Sequence, residues 1–161
     1  MLHIHERLAI ASLLFVCAGA SLAFDSSPAG PALRRDVGMA KVPLSSRWDQ
    51  LTAEQRDRIK ASYQPMGAAD EPPYPVDGIA PLMLKLQKGA QVFGVSGQLD
   101  MAVDVDGNGV AHDVSVYAQP GTAKFSQFVA SVLVTTRYKP GVCGGHACTM
   151  AFPLQLTFTR H

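Results

Sequence analysis

Near the carboxyl end of the sequence, Cys143 and Cys148 enclose Gly144-Gly145-His146-Ala147. Two chemistries suit that spacing. One is a disulfide, whose enclosed glycines can turn tightly because glycine accepts positive φ without steric cost. The other is a metal or redox site built from the thiolates of Cys143 and Cys148 and the imidazole of His146. A structural zinc ion normally takes four ligands, and no second Cys or His cluster offers the rest. The disulfide is therefore the favoured reading, with a small metal or redox protein as the alternative. By loop entropy so short a ring contributes about 2 kcal/mol, the low end of the usual range. No metal or cofactor is expected.

Asp104-Val-Asp106-Gly-Asn108-Gly109 matches the first half of a calcium loop. Its twelfth position falls on Ser115, where a bidentate Glu is needed, so a tight hairpin turn is the better reading. His112 and Asp113 are types that can form an acid/base pair, but a single His on a strand with no nucleophile motif is usually a surface or core residue. Nucleophile elbow, phosphate loop and zinc-protease helix are all missing. We assign no catalytic residue and read the chain as a binding protein, not an enzyme.

The elements that position these residues follow from apolar spacing. Leu99, Met101, Val103 and Val105 alternate with polar or small residues, the pattern of a half-buried strand. After the Asp106–Gly109 turn, residues 110–118 carry a second strand antiparallel to it. Phe125, Phe128, Val129, Val132 and Leu133 form the stripe of a helix lying on a sheet. Cys148, Met150, Phe152, Leu154, Leu156 and Phe158 then share one parity of a last, long strand. The expected fold is α+β: a β-β-α-β arrangement with a three-stranded antiparallel sheet covered on one face by helices. Pro153 cannot donate to a ladder, so the last strand should lie at an edge or be irregular there. The disulfide should pin the start of that strand against the end of the helix.

Upstream, Ile79, Leu82, Met83 and Leu86 predict a short packed helix over residues 79–89, with Pro81 in its first turn. Asp70-Glu-Pro-Pro-Tyr74-Pro75 reads as a stiff connector. Thr52 and Gln55 stand at capping-box spacing ahead of a helix whose apolar stripe is narrow: Leu51, Ile59 and Tyr63. Such a helix lies on a surface or orders on docking. Between Arg34 and Lys60 there are seven Lys or Arg against four Asp or Glu, read as a solvated helix face.

The first 23 residues place Arg7 before the apolar run 8–18, followed by Ser21-Leu22-Ala23, the layout of a secretory signal cut after Ala23. An uncleaved inner-membrane anchor facing the periplasm is the alternative. Residues 24–47 are rich in Pro, Gly and small residues and read as a flexible tether. The expected organisation is thus a signal peptide (1–23), a tether (24–47), a helical segment and connector (48–71) and one domain (72–161) in the periplasm, where disulfides persist. A chain of 161 residues, 47% hydrophobic and 17% charged, holds one core. Its net charge of +1 gives no field for nucleic acid, and a membrane is a partner only if the anchor is kept.

Residues 72–159 resemble the C-terminal domain of the TonB family of energy transducers in four places. These are Pro73-Tyr74-Pro75, the run from Gly97 through the Asp106-Gly-Asn-Gly109 turn, Tyr138-Lys139-Pro140, and the closing strand from Met150 to Phe158. The resemblance implies a periplasmic domain that grips an extended peptide of an outer-membrane receptor, or another envelope protein, by strand addition. An edge strand makes this physically sound, because an arriving peptide satisfies its unpaired N–H and C=O groups. By analogy the docking edge is the last strand, through Thr149, Ala151, Gln155, Thr157 and Thr159. Two departures stand against a full transducer. The apolar segment at the N-terminus looks cleavable, and a flexible tether of about 50 residues reaches only about 40 Å.

Overall fold

The computed structural model describes residues 43–159 except Pro65. The signal-peptide reading of residues 1–23 and the tether reading up to residue 42 lie outside the described residues. A 3-10 turn, Trp48–Gln50, precedes helix α1 (Ala53–Lys60), strand β1 (Tyr74–Pro75) and helix α2 (Ala80–Phe93). Strands β2 (Gly97–Val105) and β3 (Ala111–Ala118), helix α3 (Ala123–Thr135), and strands β4 (Tyr138–Lys139), β5 (Gly141–Cys143), β6 (His146–Cys148) and β7 (Met150–Phe158) follow. No described helix is long and apolar enough to cross a membrane.

β3, β2 and β7 form a three-stranded antiparallel sheet in that order, with β2 at its centre. The expected α+β class and three-stranded antiparallel sheet are what the chain forms. Alternation explains the layering. Leu99, Met101, Val103 and Val105 from β2 and Phe152, Leu154 and Phe158 from β7 turn to one face. There they meet Phe125, Val129, Val132 and Leu133 of α3 and Leu82, Leu86 and Ala90 of α2 in one core. Each large side chain so buried contributes about 1.5–3 kcal/mol. Phe125 is the hub, its ring 5.5 Å from Phe158 and 5.8 Å from Phe93. α2 runs one turn further than the periodicity predicts and stops at Gly94, whose φ of 62° is the left-handed C-cap conformation.

Residues 48–64 are docked on the domain. α1 has the predicted capping box: Gln55 N–H donates to Thr52 Oγ1 at 3.3 Å and Thr52 N–H to Gln55 Oε1 at 2.9 Å. Its narrow stripe is buried, with Leu51 and Ile59 joining Trp48, Tyr74 and Ile79 in a second apolar cluster. Trp48, which periodicity did not single out, anchors that cluster. β1 pairs with β4, Tyr74 opposite Lys139 and Pro75 opposite Tyr138. Pro-Tyr-Pro and Tyr-Lys-Pro, far apart in the chain, therefore meet as partners.

Two expectations change around the disulfide. The last strand is not continuous from Cys148: β6 ends there, Thr149 is a single bridge residue, and β7 begins at Met150. The disulfide does not pin β7 against the end of α3. Cys143 and Cys148 instead close the β5–β6 hairpin and pack with Tyr63 and Met66, because the connector, not the helix, lies over that hairpin.

Candidate functional site

β7 is an end strand of the sheet, and its geometry can be built from one hydrogen bond. The hydroxyl of Tyr63, a residue outside the β3-β2-β7 sheet, donates to the Ala151 carbonyl at 3.0 Å. In an antiparallel strand each residue points both backbone groups to one side, and successive residues alternate. Ala151, Pro153, Gln155 and Thr157 therefore face outward, while Phe152, Leu154 and Leu156 bond to β2. Pro153 sits opposite Ala102 within nine unbroken register pairs. Its missing N–H falls on the outer side and costs the β2 ladder nothing, which is why a proline is tolerated in mid-strand.

The residues singled out on this edge separate into two groups. Thr149 and Ala151, at the start, lie under the 60s segment and are half-buried. Thr157 is exposed within the second half, and Gln155, also in β7, sends its side-chain amide to Asp100 Oδ2 at 3.4 Å. Thr159 stands just past the strand's end. A cavity of about 600 Å³ opens where the end of α2 faces the end of β7, lined by Gln87, Ala90, Gln91, Val95, Thr157 and Phe158. Its walls are amide, hydroxyl, aliphatic and aromatic, with no charged side chain among the described residues lining it. An uncharged extended segment suits such walls.

The cysteines are joined, with Cα atoms 5.8 Å apart, so neither sulfur is a thiolate ligand, and His146 is exposed on β6. Among the described residues no three His, Cys, Asp or Glu side chains gather as a metal site. The Asp106 carboxylate spends its oxygens on the hairpin: Oδ1 accepts from Asn108 N–H at 2.8 Å and Val110 N–H at 2.9 Å, and Oδ2 lies 3.0 Å from His112 Nε2. The partner of His112 is thus Asp106, not the neighbouring Asp113. His112 holds the Asp106 carboxyl below its usual range, with the two backbone donors helping against a desolvation cost.

Sequence reasoning missed the fastening of the connector. Asp70 accepts from Gly67 N–H at 2.8 Å and from Gly144 N–H at 2.7 Å, tying the connector to the disulfide turn. Those bonds, Gly144's first, lower its carboxyl pKa. Glu71 and Val142 exchange backbone bonds of 2.9 and 2.8 Å, and Lys139 Nζ lies 2.9 Å from Glu71 Oε2. The Lys139 ammonium also sits 5.2 Å from the centre of the Trp48 ring. Burial works to raise the Glu71 carboxyl, but the hydrogen bond and charge of Lys139 outweigh it and leave it lowered. Burial lowers Lys139 in turn, against the pull of Glu71. The only local signals were an acidic pair before paired prolines and two glycines inside the disulfide ring.

No family model matches this chain, and no curated protein matches it.

Proposed function

We propose that this chain is a TonB-like interaction domain of the cell envelope, exported to the periplasm by residues 1–23, that binds an extended segment of an envelope protein or receptor by strand addition to β7. The observation that carries the reading is the position of β7 at the sheet edge, with its one proline turned outward. An incoming strand finds the outward-facing backbone of Thr157 and an uncharged cavity beside it for its side chains. Two of the motifs that carry the TonB resemblance supply further support by pairing as β1 and β4. The disulfide suits an oxidising compartment. The binding is non-catalytic and needs no cofactor.

The test is a photo-cross-linking residue at Thr157, with Asp57 on α1 as the control position. Cross-linking at Thr157 alone to an envelope protein, within an extended segment of it, is the expected outcome. Equal labelling from both positions, or none from Thr157, counts against strand addition. Whether the domain also transmits force depends on its anchor. A mature protein that starts at Phe24 by mass spectrometry is an unanchored binding module, whereas one retaining residues 1–23 has the attachment a transducer needs.

A further inference from the structure

The first half of the outer side of β7 already has an occupant. Tyr63, 2% exposed, lies over it with its hydroxyl on the Ala151 carbonyl, and Tyr63 and Thr149 are both bridge residues. Behind Tyr63 the chain crosses to the disulfide turn, where Asp70 clamps Gly67 and Gly144 and Glu71 pairs with Val142. We propose that residues 62–64 and 66–71 form an internal strap that covers Thr149 and the Met150–Phe152 start of β7 and opens as a unit, so that the docking edge has a short closed form and a long open one. The inhibitory consequence rests on the strand-addition reading above; the opening itself does not.

The make-up of the strap fits a segment that detaches without unfolding the core. Tyr63 and Met66 give it apolar anchorage in a small cluster with Cys143, Cys148 and Met150, separate from the main core. Gly67, Ala68 and Ala69 are exposed, the Asp70 bonds lie at the surface, and Glu71 adds a half-buried ion pair to Lys139. Segments with few buried apolar contacts open at lower free energy than the core they lie on. At the strap's start, the Ser62 hydroxyl is buried with no hydrogen-bond partner among the described residues, a cost that opening relieves. The disulfide holds the receiving turn in shape, because Gly144, which donates to Asp70, lies inside its ring.

Hydrogen exchange on the full chain tests this without any partner. Asp70→Ala removes the clamp, and Tyr63→Phe removes only the hydroxyl and preserves the packing. In each variant, exchange across 62–71 and across 149–152 should quicken together, by about tenfold for Asp70→Ala, while β2 and α3 keep their protection. Faster exchange in 62–71 alone, or faster exchange everywhere, overturns the strap. A peptide selected on the wild type then separates the two ideas. Tighter binding to Asp70→Ala, about threefold or more, supports inhibition by the strap. Equal affinity overturns that inhibitory role but spares strand addition. If no peptide binds either protein while the coupled exchange is seen, strand addition fails and the strap stands.

Discussion

Gly109 shows how much one residue can be asked to do. Its φ of +79° belongs to the left-handed region, and an added Cβ would lie 2.1 Å from the Tyr138 carbonyl oxygen. The backbone there accepts Tyr138 N–H at 3.2 Å, so the β2–β3 turn is seated on the chain leading into β4. Gly109→Ala should cost about 2 kcal/mol or more in denaturant unfolding, from strain and lost contact together. Asp106 brings a pH dependence of definite sign. Its carboxyl pKa is lower folded than unfolded, so its contribution is complete above the ordinary Asp range and lost as pH falls through the depressed value. Asp104 works in the opposite sense, because burial and then the charge of Asp113 raise its carboxyl. Asp106→Asn should therefore flatten the loss of stability as pH falls below the ordinary Asp range, seen in unfolding midpoints against pH. An unchanged acid limb would show that the pair with His112 adds nothing.

At the scale of elements, the strands and helices whose apolar residues recur at a single period were legible in the sequence. β2, β7 and α3 each bury the stripe that their spacing marks, and of the two places Pro153 allowed, an edge strand or an irregular one, β7 takes the edge with its register unbroken. What spacing does not carry is which distant surfaces meet. The Tyr63 bond to Ala151 spans 88 positions and the Asp70 bond to Gly144 spans 74, and no local spacing names the partner of either. For that reason the disulfide was expected against α3 and is found under the connector. Phe125→Ala, emptying the hub of the main core, should destabilise by about 3–5 kcal/mol in denaturant unfolding. Proline scanning of β7 checks the alternation of its backbone. Thr157→Pro removes an outward donor and should leave stability nearly unchanged, whereas Leu156→Pro breaks the β2 ladder and should cost about 3 kcal/mol.

For the molecule as a whole, one antiparallel sheet lies under two helices, with a smaller apolar cluster formed by residues 48–79 on its flank. The disulfide belongs to the flank. Replacing both Cys143 and Cys148 by Ala should lower stability by about 2 kcal/mol and loosen residues 62–71 first, while the main core stays intact. The helices cover one face of the sheet, and β7 is the end strand beside which the uncharged cavity opens. Strand addition there is the central claim. Its most direct measurement is the nuclear Overhauser pattern between the full chain and an extended peptide selected on it. The expected result is cross-strand contacts from the peptide backbone to the amide of Thr157. Contacts to the β3 edge instead, or a bound peptide with none to β7, would contradict it.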